Sequence, residues 1–305
     1  FGGVQGLGIL VGIVRNKLTT LLIGASGLGL LSLFNSTVNM LVSACNFGIP
    51  TSGVQEMSGI YQNTPSQLDE SIKMIRSWSL LTALLGLVLC VIIGPLLNDW
   101  SFSWGDYTLH FVFLSPAVAF TIVAGGELAV LKATRQLRAL ATSSFYVIIA
   151  SLLFSVPIYY FFRQAGIVMV LLVSAFVQMV SAVYFASRHY PYFVSFSPAF
   201  LKRGLQVIKL GVAFVIAGLL GSGSEFFVRT YINKVGDLEH VGFFNAGWTL
   251  TVVYAGLVFT AMEADYFPRL SSIKEKGKKQ NECVNRQIEI NVLLVGPILT
   301  VMLFM

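Results

Sequence analysis

The chain has 305 residues, 55% of them hydrophobic and only 11% charged, against roughly 25% charged in an ordinary soluble domain. So few charges cannot cover a soluble fold of this size, which excludes an ordinary cytosolic enzyme and points to a polytopic membrane protein. The net charge of +6, from 20 basic and 14 acidic residues, is no nucleic-acid signal until the charges are placed along the chain.

Apolar runs predict nine helices: 2–23, 28–48, 78–97, 109–131, 140–162, 167–186, 210–231, 242–264 and a last run at 290–305. Lipid offers no water to free backbone groups, so spans are helices or closed barrels. Barrel strands are about 10 residues long and alternate in polarity; these runs are continuous and about twice that length, so the expected class is all-α. Gly24, Gly27 and Gly29 read as a tight turn between the first two spans. Pro116, Pro157 and Pro297 fall inside spans and should kink them. The chain starts at Phe1 and stops at Met305, both within apolar stretches, and is expected to be a piece of a longer protein. No charged leader with a small-residue cleavage site is visible.

Fifteen of the 20 basic residues fall in alternate loops, beginning with Lys73 and Arg76 and ending with the run from Arg269 to Arg286. The opposite loops hold only Arg163 and Lys234, while Arg15, Lys17 and Arg229 lie inside spans. The positive-inside rule therefore predicts a cytoplasmic N-terminus and cytoplasmic basic loops. The best internal boundary is the Pro-containing basic loop 188–209, part of which (200–206) suits a short helix on the membrane surface. After it the pattern restarts. Arg15 is followed by a span beginning at Gly29 and by Asn35, Arg229 by a span beginning at Gly242 and by Asn245. The expected organisation is two six-helix lobes related by a parallel repeat: lobe one at 1–187, a linker at 188–209, and a truncated lobe two at 210–305 that lacks about three spans.

Ionisable groups in spans cost several kcal/mol at the bilayer centre and usually face a cavity or a partner. Arg15 and Lys17 are candidates for a cavity, with snorkelling as the plain alternative. Glu225 and Arg229 sit four apart on one helical face, as a structural pair or as part of a ligand site. Glu127 is a candidate for proton or sodium coupling, with pairing to a basic residue near the cytoplasmic edge as the alternative. Glu263 and Asp265 pair most simply with the basic loop after them. Asn35, Asn39, Ser43 and Asn46 share one face of span 2, which meets other helices or a cavity. Spans 7 and 8 repeat this with Ser222, Ser224, Asn245 and Thr249. The cysteines (Cys45, Cys90 and Cys283) have no metal or redox spacing, the histidines are scattered, and neither a nucleophile elbow nor a Walker motif occurs. No enzyme, metal or cofactor is expected.

Several stretches resemble the polysaccharide and O-antigen flippases of the multidrug/oligosaccharidyl-lipid/polysaccharide superfamily. They are Val14-Arg15-Asn16-Lys17, the segment 27–36 from Gly27 through Asn35, Asn46-Phe47-Gly48-Ile49, the segment 241–248 around Asn245, and 264–269 with Asp265 and Pro268. The resemblance implies a MATE-like fold of two six-helix lobes around a central cavity, working by alternating access in the bacterial inner membrane. It implies an undecaprenyl-pyrophosphate-linked oligosaccharide as substrate, with lipids and glycan polymerase or export machinery as partners and no nucleic acid. On that reading Arg15, Lys17 and Arg229 clamp the pyrophosphate, Asn35, Asn39 and Asn245 bond sugar hydroxyls, and Glu127 and Glu225 are candidates for ion coupling. A cation-coupled multidrug exporter of the same superfamily is the alternative; a membrane glycosyltransferase or polymerase fits less well, because the outside loops are short.

Overall fold

The computed structural model describes residues 2–63, 65–101, 107–249, 252 and 277–304. Predicted span 8 beyond Thr249, apart from residue 252, lies outside these described residues, as do Glu263, Asp265 and the 264–269 motif. The described residues form helices joined by turns, and no strand occurs among them.

Helix α1 runs Gly2–Cys45, but Gly24 breaks it with φ 72° and ψ −178°. Forty-four residues of unbroken helix would reach about 66 Å at 1.5 Å per residue, twice the roughly 30 Å hydrocarbon core. The break leaves two segments, each of one span's length. Gly24 supplies the positive φ that a Cβ would oppose, and the predicted turn is there. Then come α2 (Ile49–Asn63), a 3-10 turn (Pro65–Gln67), α3 (Leu68–Ser101), α4 (Thr108–Ala133) and α5 (Leu137–Phe162). A second 3-10 turn (Arg163–Gly166) leads to α6 (Ile167–Ser187), α7 (Pro198–Val235), α8 (Leu238–Trp248) and α9 (Lys278–Phe304). Among the described residues, five stretches are long and apolar enough to cross a bilayer, and one of them, Leu137–Ser187, contains both α5 and α6. Pro116 and Pro157 lie within α4 and α5 as expected.

Three boundaries differ from the sequence reading for one reason: apolarity marks where lipid begins, not where a helix ends. Helix α3 starts ten residues before its apolar run, so Lys73 and Arg76 are helical rather than loop residues. Helix α7 starts at Pro198, with proline in its first turn, a position where the missing N–H has no helical partner to lose. Only 188–197 of the predicted linker is therefore non-helical, and the short surface helix expected at 200–206 is the start of α7. Helix α2 was not anticipated. It buries Ile49, Ser52 and Met57 and exposes Thr51, Gln55 and Gly59, an amphipathic pattern too polar to stand out in a search for spans.

Chain contacts divide the protein into two compact units, Gly3–Phe243 and Phe244–Met305. In the second, Phe244 packs on Trp248 with ring centroids 5.8 Å apart, and Gln287 Nε2 donates to Asn291 Oδ1 at 3.2 Å. In the first, turns gather at two opposite ends. Gln164 Nε2 donates to Ser26 Oγ at 2.9 Å and to the Ile23 carbonyl at 3.3 Å, and Asn233 Nδ2 donates to the Ser101 carbonyl at 2.6 Å. At the other, basic end the Ser195 N–H donates to Ser77 Oγ at 2.9 Å. The main core joins the second segment of α1 (Leu33, Phe34, Val38) to Cys90 of α3, Phe111 and Val118 of α4, Tyr159 of α5, Phe226 of α7 and Val241 of α8. A smaller core at the basic end joins α2, α3, α4 and Val207. Outward residues such as Leu84, Val88, Ile92, Phe161, Phe162 and Leu220 are exposed, as lipid-facing positions are.

Candidate functional site

Close approaches between backbones set the register of α1 against α7. A Cβ on Gly211 would meet the Phe47 carbonyl oxygen at 2.1 Å. One on Gly218 would lie 3.5 Å from Ser43 Cβ, and one on Gly29 would meet the Leu238 carbonyl at 1.9 Å. From Gly48, just after α1, back to Gly29 within it, the partners run from Gly211 of α7 to Leu238 at the start of α8, so α1 and α7 are antiparallel. Between these points Asn39 and Asn35 lie level with the turns of α7 that hold Ser222 and Glu225.

The same contact fixes the faces. Ser43 belongs to the stripe Asn35, Asn39, Ser43, Asn46. Gly218 belongs to the stripe Gly218, Ser222, Glu225, Arg229, spaced i, i+4, i+7 and i+11. Since Ser43 meets Gly218, the two polar stripes belong to the mutually facing sides of α1 and α7. The outcome is a polar seam between two otherwise apolar helices. Arg229 Nη1 donates to Glu225 Oε2 at 2.9 Å and to the Glu225 carbonyl at 3.3 Å. The Arg229 side chain is 5% exposed and that of Glu225 37%, so the cation is buried and its carboxylate partner reaches the open side. Asn35 and Asn39 are exposed, and Asn46 caps the turn after α1 by accepting from the Gly48 N–H at 2.9 Å. Serines and threonines on the buried flank (Ser32, Ser36, Thr37) bond back to carbonyls one turn earlier, which satisfies them within their own helix.

The other predicted residues fall elsewhere. Arg15 is half-buried, within electrostatic range of Tyr159 of α5; Lys17 is exposed two residues on. Asn245 belongs to the second compact unit, where its carbonyl accepts from Thr249 Oγ1 at 2.8 Å. Glu127 is 2% exposed and held by Arg76: Nε donates to Oε1 at 2.8 Å and Nη2 to Oε2 at 2.9 Å. Its carboxylate is thus engaged by a fork-on-fork pair at the basic end, as the alternative reading of Glu127 anticipated. Arg76 itself, counted among the loop cations, is 2% exposed. Sequence reasoning missed its role, although a lone acid near the end of one span asks for a cation at the same end of a neighbouring one. Among the described residues, no group of three or more His, Cys, Asp or Glu side chains is placed to hold a metal ion.

This architecture has a counterpart among solved structures. The inward-facing conformation of a multidrug resistance MATE family transporter of the MOP superfamily superposes with a TM-score of 0.60 at 16% identity. The match covers 93% of this chain and 72% of that one. No protein-family model and no curated protein matches the sequence. The described residues are all-helical and have a MATE-like transporter fold.

Proposed function

We propose that the chain belongs to a flippase that carries a polyprenyl-pyrophosphate-linked oligosaccharide across a bacterial inner membrane by alternating access. The observation that carries this reading is the seam of Asn35, Asn39, Glu225 and Arg229. A pyrophosphate entering lipid loses its hydration and needs cations to offset that loss. Glu225 balances the charge of Arg229 until an incoming anion displaces the carboxylate, which then turns to the open side. The amides of Asn35 and Asn39, level with that pair, present donors and acceptors to sugar hydroxyls. Arg15 and Lys17 add positive charge on the first segment of α1. The basic ends face the cytoplasm on this reading, with lobes at 1–187 and from 210 onward.

The alternative is a cation-coupled drug exporter. The exposed carboxylate of Glu225 favours it, as does the description of the solved counterpart as a multidrug resistance transporter. Export of the glycan in cells, with protein levels verified, separates the two. Arg15→Ala and Arg229→Ala should each abolish glycan export. Normal export in both variants refutes the clamp, and resistance to cationic dyes that depends on Glu225 supports the exporter.

A further inference from the structure

The connection between α6 and α7 is where a transporter with two lobes would be expected to flex, yet here it is bound along its length. Arg76 Nη1 donates to the Pro191 carbonyl at 2.6 Å and Nη2 to the Tyr190 carbonyl at 3.2 Å. The guanidinium lies over the Tyr192 ring, 4.8 Å from its centroid. One residue further along α3, Ser77 Oγ donates to the Lys73 carbonyl at 2.8 Å and accepts from the Ser195 N–H at 2.9 Å. Lys73 reaches over the Phe200 ring at 5.7 Å, and Trp78 packs against Gly204 in the first turns of α7. Consecutive turns of one helix, 73 to 78, therefore grip the connection at 190, 191, 192, 195, 200 and 204.

Glu127 explains why the grip holds. An arginine that only bonded carbonyls would carry its full charge into a buried site. Its Nε and one Nη2 proton go to the Glu127 carboxylate, which leaves Nη1 and the rest of Nη2 for the backbone. The planar guanidinium serves carboxylate, two carbonyls and a ring face at once, a combination a lysine cannot supply.

We propose that residues 190–195 are a splint, not a flexible linker: Arg76, oriented by Glu127, makes the α6–α7 connection part of the α3–α4 body. Arg76 is a positioning residue on this proposal, and the proposal stands whatever the transporter carries. The test is amide hydrogen exchange of the full-length protein in lipid nanodiscs, read on peptides covering 190–197. The Ser195 amide, bonded to Ser77 Oγ, and the Tyr190 amide, bonded to the Ala186 carbonyl, should exchange slowly in the parent protein. Removing both charges, Arg76→Met with Glu127→Leu, deletes the carbonyl donors, frees the connection from α3 and should speed exchange of the Ser195 and Tyr190 amides at least tenfold while peptides from α5 stay unchanged. Ser77→Ala buries no charge and should speed the Ser195 amide alone, so the test survives a double variant that does not fold. Fast exchange of the Ser195 and Tyr190 amides in the parent, or unchanged exchange of both in the variants, overturns the splint.

Discussion

Alanine at two glycines of α7 should act in opposite directions. Both substitutions gain the same helix propensity, about 1 kcal/mol, so that gain cancels when the variants are compared. Gly221 has nothing within 4 Å of an added Cβ, whereas at Gly211 it would stand 2.1 Å from the Phe47 carbonyl oxygen, and ordinary contact begins at 3.4 Å. The two backbones must therefore part, and a gap of even 0.5–1 Å forfeits roughly a quarter to a half of each contact's dispersion energy. Overpacking of this kind costs about 1–3 kcal/mol, so Gly211→Ala should be less stable than Gly221→Ala by that amount. At about 2–4 °C per kcal/mol the melting midpoints separate by several degrees. Cys45 and Cys90 are each 1% exposed, and their reaction with a fluorogenic maleimide on heating reports the midpoint once Cys283 has been replaced. Equal midpoints, or a higher one for Gly211→Ala, would refute the close approach of α1 and α7.

Further outcomes follow from the same contacts. Glu127→Gln leaves the Arg76 charge buried without its carboxylate and should destabilise by about 3–5 kcal/mol; the paired Arg76→Met, Glu127→Leu replacement should recover most of that in the same thermal assay. Asn233→Leu removes the donor to the Ser101 carbonyl and should lower stability by about 1–3 kcal/mol, seen as a drop in the thiol-reaction midpoint. At the start of α8, Asp237 Oδ1 accepts from the His240 N–H at 2.9 Å. Hydrogen bonds from His240 hold the Asp237 carboxyl below the usual aspartate range. A depressed carboxyl stabilises the fold above the ordinary aspartate pKa and loses that effect as pH falls through its own lower value. Amide exchange in 238–242, corrected for the intrinsic rate, should therefore quicken below about pH 4. Asp237→Ala should abolish the change, and an identical pH response in the variant would contradict the cap.

Spans were legible because a bilayer imposes one rule on every helix that crosses it, and runs of apolar residues of that length have no other common cause. The break at Gly24 was legible because two spans in succession need a turn and only the glycines there permit one so short. Contacts between distant residues were not legible. Nothing near Arg76 distinguishes it from a loop cation, and its partner lies 51 positions away, so only the packing of α3 on α4 reveals the pair. Helix α2 and the early start of α7 stayed hidden because both lie where the chain can be polar and helical together. At the candidate site the stripe of Asn35 and Asn39 and the i, i+4 pair of Glu225 and Arg229 were each visible. That the two stripes face each other depends on the meeting of Ser43 with Gly218, which no spacing encodes.

The proposed flippase requires the seam of Asn35, Asn39, Glu225 and Arg229 to receive a lipid-linked anion. This is tested most directly by fluorescence binding on the full-length protein in lipid, with a polyprenyl-pyrophosphate sugar and a cationic dye as the two probes. Saturable binding of the pyrophosphate lipid, weakened at least tenfold by Arg229→Ala and by paired replacement of Asn35 and Asn39 with leucine, is the predicted result. Dye binding without lipid binding, lost in Glu225→Gln, would contradict the account and assign the seam to a cation.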